Sequence, residues 1–154
     1  MRYKDLIENS IDIESIIESC KKKFKNLYGG NCGMFSIALG EFLEDKGIKS
    51  NIVIFCDYPE DELGTPSSVR QIIDEECKIY HTALNVNGKL YDGDGCITTN
   101  HITSWIETEY NDYDIMVYNF PLKTSGLQTL INNDTDWDIS ASTFYKFMVE
   151  KFSY

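Results

Sequence analysis

The sequence predicts an α+β fold in which helices pack on an antiparallel β-sheet. Helical periodicity dominates the chain up to Lys46, and the strand-like segments mostly follow it. One pair of strands flanks Asn87-Gly88, a strong hairpin signal because a type I′ turn needs positive φ at both central residues. This order lacks the regular alternation of strands and helices that is typical of parallel sheets. We therefore expect one domain over residues 1–154, long enough for a single core.

The individual elements follow from the spacing of apolar residues and from the residues that end each segment. The glycines and asparagine of residues 28–31 predict a turn between two helices, and Gly47 fits the end of the second helix. The predicted helices cover 3–25 (with a possible break near residues 9–10), 32–46, 101–110 and 140–152, a loop or short helix lies within 57–76, and the predicted strands are 51–56, 78–86, 89–92 and 115–120.

Composition limits the kinds of partner. The chain has 25 acidic and 14 basic side chains, a formal net charge of −11, so most of its surface repels nucleic acid and anionic membranes. The chain has five cysteines, an odd number, and neither a signal peptide nor a membrane-spanning run is recognisable. These features predict free thiols and a cytoplasmic protein. Delivery into a host cytoplasm by a non-classical route is the alternative, and the oligomeric state is left open.

Cys32 is the candidate nucleophile. It follows a Gly-Gly-Asn turn and opens a predicted helix, where unpaired backbone N–H groups and the helix dipole stabilise a thiolate. The same N–H groups could stabilise an oxyanion. The alternative is that Cys32 is a small buried core residue.

His81 is the candidate base, because the hairpin brings acidic residues beside it. If Asn87 and Gly88 form the loop, His81 faces Asp94, while Asp92 is its diagonal neighbour on the same face of the hairpin. Either carboxylate could orient the imidazole and stabilise its protonated form. The alternative is a structural histidine among turn-forming acids.

A zinc site is a weaker interpretation of the same region. Cys77 and His81, like Cys96 and His101, have spacings similar to zinc half-sites. Four residues along a strand separate the first pair by about 13 Å, which is too far for one ion. We therefore expect no metal and no cofactor.

The motifs around these residues resemble the papain-like/transglutaminase-like cysteine enzymes. The resemblance rests on Gly-x-Cys-Gly-Met-Phe-Ser-Ile-Ala-Leu, which opens at Gly30, on His-Thr-Ala-Leu-x-Val from His81, and on Gly-Lys-Leu-Tyr-Asp-Gly from Gly88. It implies a nucleophile-bearing helix packed on an antiparallel sheet, with Cys32, His81 and Asp92 as the triad. The hairpin register keeps Asp94 as the alternative acid. By the same resemblance, Asn26 occupies the position of an oxyanion donor.

The resemblance implies a cysteine-nucleophile hydrolase that forms a thioester, with a peptidase or amidase acting on proteins or peptides as the first expectation. A glutamine deamidase, a transglutaminase or another acyltransferase on the same scaffold is the alternative, and so is a catalytically inactive binding protein. The acidic segment 57–76 is expected to wall the cleft and to favour cationic or neutral substrates.

Overall fold

The computed structural model describes residues 11–25, 27 and 30–152, with Asp134 described by its backbone alone. The predicted oxyanion residue Asn26 and any helix within residues 3–10 lie outside this part of the chain. Its elements are α1 (Ile13–Lys23), α2 (Cys32–Asp45), β1 (Asn51–Cys56), α3 (Glu60–Leu63), α4 (Val69–Asp74), β2 (Ile79–Val86), β3 (Lys89–Asp92), β4 (Gly95–Ile97), α5 (Thr99–Tyr110), β5 (Met116–Pro121), α6 (Leu127–Asp134) and α7 (Ala141–Phe152).

The five strands form one antiparallel sheet in the order β4-β3-β2-β1-β5. The predicted α+β class with an antiparallel sheet is therefore confirmed. Among the described residues, no helix is both long and apolar enough to span a membrane.

Helices cover both faces of the sheet. Alternate β1 residues Ile52 and Ile54 belong to the larger apolar cluster, which includes much of α2. Val53 and Phe55 belong to a second cluster with Ile102 of α5. Because successive side chains of a strand point to opposite faces, the sheet lies between α2 on one side and α5 on the other. Strand β1, which lies between β2 and β5, is accordingly apolar on both faces.

The hairpin of β2 and β3 has the predicted register. Leu84 pairs with Tyr91 and Val86 with Lys89, and the loop residues Asn87 and Gly88 have φ values of 56° and 89°. The strand β4 was not predicted. It is only three residues long, too short for its alternation to be recognised.

Helix α2 begins at Cys32, which confirms the predicted helix start. Its apolar residues are buried nearly all round, as expected for a helix within the core. Gly33 lies in its first turn against α6, and a Cβ built on Gly33 would lie 2.7 Å from Cγ2 of Ile131. Helix α6 was not predicted, although it packs directly beside the start of α2.

The acidic segment 57–76 contains the helices α3 and α4. Val69 and Ile72 of α4 are fully buried, so this part of the segment belongs to the core. Residues 57–62, Asp112, Asp114 and Met116 line a cavity of about 300 Å³. Cys32 and His81 are not among its lining residues, and the predicted role of the segment as a wall of the catalytic cleft stays a prediction.

The contact between Gly33 and α6 gives a test of this packing. We expect Gly33→Ala to lower the free energy of unfolding by about 1 to 3 kcal/mol, because the added methyl overpacks a buried contact. In an Ile131→Ala background the same change should instead be neutral or stabilising by up to about 1 kcal/mol, since alanine favours helix more than glycine does. Urea unfolding of the four proteins measures both values, and equal effects in the two backgrounds would contradict the contact.

Candidate active site

Cys32 is the first residue of α2, and its side chain is largely enclosed, with 5% of the residue exposed. The Phe35 N–H donates the first helical hydrogen bond, to the Asn31 carbonyl at 2.9 Å. The N–H groups of Cys32, Gly33 and Met34 come before it and have no partner within the helix. The Asn31 side chain does not cap them. The thiol is therefore adjacent to backbone N–H donors that the Asn31 side chain leaves unoccupied.

His81 lies on β2 beside an irregularity in the sheet. His81 pairs with Phe55, but the next β1 residue, Cys56, pairs with Ile79, so that Tyr80 is an extra residue on β2. Such bulges bend a strand and redirect neighbouring side chains. The bulge therefore helps set the direction of the His81 side chain, and the strand alternation used in the sequence analysis does not detect it.

Asp92 is the carboxylate that contacts His81. The distance from His81 Nε2 to Asp92 Oδ2 is 3.0 Å, and both side chains are fully buried. The other oxygen, Asp92 Oδ1, accepts a hydrogen bond from the Asp94 N–H at 2.8 Å. The tight turn between β3 and β4 therefore fixes the carboxylate that holds the imidazole.

Asp94, the alternative acid, has a different contact. Its side chain forms a half-exposed ion pair with Lys21, with 3.4 Å between Nζ and Oδ1. Strand β3 ends at Asp92, and Asp94 lies in the following turn. Asp94 therefore does not lie directly opposite His81, as ideal hairpin register would place it. Its contribution to the site is the backbone N–H that donates to Asp92.

The Cys32 thiol lies close enough to the His81 ring to raise the pKa of the imidazole. Burial lowers the pKa of His81, but the hydrogen bond with Asp92, the nearby Cys32 thiol and the charges of both groups outweigh it and raise the pKa to about 9. The imidazole is thus protonated at neutral pH. A protonated imidazole that is held by a carboxylate and lies close to a cysteine is an arrangement that favours nucleophilic thiol chemistry.

Two aromatic rings enclose the imidazole. Phe55 lies 6.2 Å and Trp105 5.8 Å from it between ring centroids, the latter in a T-shaped arrangement. The sequence analysis did not identify this contact of Trp105. Trp105 is on α5 between Ile102 and Ile106, which are both buried against the sheet. That spacing could have indicated that the tryptophan faces the histidine strand.

The other cysteines have different surroundings. Burial raises the pKa of the Cys20 thiol to about 12 and that of Cys56 to about 11, so neither is a reactive thiolate. Cys77 is buried and Cys96 is exposed. Across residues 11–25, 27 and 30–152, no group of three or more His, Cys, Asp or Glu side chains is arranged to hold a metal ion.

No family model, curated protein or solved structure matches this chain. The resemblance to papain-like and transglutaminase-like enzymes therefore rests on the short motifs around Cys32, His81 and Asp92. Those residues are brought together from α2, β2 and β3.

The pKa of His81 can be tested directly. We expect its imidazole to titrate near pH 9 in nuclear magnetic resonance spectra, and at a lower pH in Cys32→Ala, which removes both contributions of the thiol. Cys96→Ala is the matched control and should leave the titration unchanged. An ordinary pKa of 6.5 in the wild type would contradict the arrangement.

The same shift predicts the pH dependence of stability. The pKa of His81 is raised on folding from 6.5 to about 9. The protonated imidazole therefore adds its full contribution to the free energy of unfolding below pH 6.5, and this contribution is lost as the pH rises through 9. The change corresponds to about 3 kcal/mol, at about 1.4 kcal/mol for each pH unit. The stability difference between wild type and His81→Asn, measured by urea unfolding, should shrink over that range.

Proposed function

We propose that this protein is a cysteine-dependent acyl-transfer enzyme, most simply a peptidase or amidase, built on a papain-like/transglutaminase-like core. The observation that carries the proposal is the position of the His81 ring, hydrogen-bonded to the buried Asp92 carboxylate and close enough to the Cys32 thiol for the thiol to raise its pKa. In this proposal Cys32 is the nucleophile, His81 is the acid and base, and Asp92 orients the imidazole.

Acylation begins when the Cys32 thiolate attacks the carbonyl carbon of an amide and a carbon–sulfur bond forms. The carbonyl oxygen becomes an oxyanion, and the N–H groups in the first turn of α2, which have no partner within the helix, lie beside the nucleophile to stabilise it. The carbon–nitrogen bond then breaks, and the protonated His81 gives its proton to the departing amine. The products are a thioester on Cys32 and a neutral imidazole.

Deacylation reverses the role of His81. The neutral imidazole takes a proton from water, and the resulting hydroxide attacks the thioester carbon. The carbon–sulfur bond breaks, which releases a carboxylic acid and regenerates the thiolate beside the protonated imidazole. An amine in place of water would give a transferase, and a glutamine side chain as the first substrate would give a deamidase.

The negative charge of the protein favours the binding of cationic or neutral substrates. The net charge of −11 gives the whole molecule a negative field, which attracts cations and repels anions. Asp136 and Asp138, close to the loop before Cys32, add two exposed acidic residues there. We therefore infer that a peptide with basic residues near the scissile amide is a better substrate than an acidic one.

Reactivity towards iodoacetamide separates an enzyme from an inactive binding protein. We expect Cys32 to be alkylated rapidly at pH values well below the free-thiol pKa of about 8.5, because the protonated imidazole stabilises its thiolate. Exposed Cys96 is the internal reference and should react at the rate of an ordinary thiol. Peptide mass spectrometry measures both rates in one sample, and equal pH profiles would show that Cys32 is not activated.

Substitution of the two aspartates tests the role of the carboxylate. We expect Cys32→Ala to abolish hydrolysis of a panel of fluorogenic lysine- and arginine-containing peptide amides. Asp92→Asn should lower kcat by about 10² to 10⁴, since the imidazole loses its oriented partner while the nucleophile remains.

The matched control for that substitution is Asp94→Asn, which keeps the backbone N–H that supports Asp92. Its activity should stay close to that of the wild type. Equal losses in the two aspartate variants would refute the assignment of Asp92 as the orienting acid. Ammonia release from a glutamine-containing peptide, measured in parallel, would identify a deamidase instead.

A further inference from the structure

Asn31, the residue before Cys32, joins two distant parts of the chain. It is 1% exposed. Its Nδ2 donates to Asp138 Oδ1 at 2.7 Å and to the Lys25 carbonyl at 3.3 Å. Its Oδ1 accepts from the N–H groups of Asp138 and Ile139, at 2.9 and 3.0 Å. These four hydrogen bonds use every donor and two acceptor positions of the amide.

This arrangement keeps the amide away from the helix that it precedes. Asparagine is among the preferred N-cap residues, and its side-chain oxygen usually accepts a hydrogen bond from the second or third helical N–H. Asn31 is the N-cap of α2 but makes no such bond, because its oxygen is occupied by residues 138 and 139. The first-turn N–H groups beside Cys32 are therefore not occupied by the cap side chain.

The backbone reinforces the same contact. Gly30 lies so close to Asp136 that an added Cβ would be 2.3 Å from the Asp136 carbonyl oxygen. Ile131 makes the corresponding contact on the other side, against Gly33. Residues 30–33, which include the nucleophile, are thus held against residues 131–139 by backbone packing and by the Asn31 amide.

We propose that Asn31 and Asp138 are positioning residues that hold the Cys32 thiol against His81 and keep the first turn of α2 open for the substrate oxyanion. The proposal rests on the proposed function, since it concerns the geometry of the same nucleophile. Neither side chain touches the reacting atoms. Their effect passes through the backbone between Asn31 and Cys32, where a small displacement can cost a large factor in rate.

A set of three variants isolates the contact. In Asn31→Asp two carboxylates face each other, so the side-chain hydrogen bond is lost. In Asp138→Asn the amide oxygen still accepts, and the bond is kept. In the double variant Asn31→Asp with Asp138→Asn, the new amide at 138 donates to the new carboxylate at 31, and the bond returns with its direction reversed.

The readout is the rate of alkylation of Cys32 by iodoacetamide across pH 5 to 9, with Cys96 as the reference thiol. We expect Asn31→Asp to slow the reaction about tenfold or more, Asp138→Asn to leave it unchanged, and the double variant to recover most of the loss. Asn31→Asp and the double variant carry the same carboxylate beside the thiol, so their difference reports the hydrogen bond and not the added charge.

Each outcome decides the proposal. Equal slowing in Asn31→Asp and the double variant, or a wild-type rate in folded Asn31→Asp, overturns the positioning role and leaves the proposed function intact. If wild-type Cys32 reacts no faster than Cys96 at low pH, the proposed function is refuted and the positioning role is refuted with it.

If Asn31→Asp does not fold, Asp138→Ala, which keeps both backbone bonds to Asn31, replaces it. Slowed alkylation of that variant supports the role, and a wild-type rate overturns it.

Discussion

The hydrogen bond between His81 and Asp92 is the interaction on which the geometry of the site depends. Both side chains are fully buried, and a charged group in such a place is strongly destabilising unless a partner neutralises it. The partner must therefore be in place whenever the imidazole is protonated. That requirement fixes the register of the β2–β3 hairpin and the turn after Asp92, because a shift of one residue would move the carboxylate to the opposite face. Loss of either residue alone would leave an unpaired buried group.

The part of the site that depends on local sequence could be predicted. Asn87-Gly88 determines the hairpin loop, and the register then places Asp92 diagonally from His81. The helix start at Cys32 follows from the glycines and asparagine before it. These features arise within a few residues, and they depend on backbone preferences that a sequence displays directly.

The remaining features depend on contacts that no local pattern encodes. The bulge at Tyr80 changes the alternation beside His81, and the short strand β4 removes Asp94 from the position opposite the histidine. Asn31 meets Asp138 across 107 positions of the chain. Strand alternation alone could not decide between Asp92 and Asp94, because both aspartates lie on the same predicted face.

The distances along the chain between the parts of the site also bear on the order in which they form. His81 and Asp92 are separated by 11 positions and belong to one hairpin, and such local contacts close with little loss of chain entropy. The contact of Asn31 with Asp138 needs most of the polypeptide. We infer that, during synthesis, the imidazole and its carboxylate come together well before the loop at Asn31 can find its partner. An emerging chain would then carry the His81–Asp92 pair before the loop that holds Cys32 is supported, and the complete site would form only when the C-terminal third has folded.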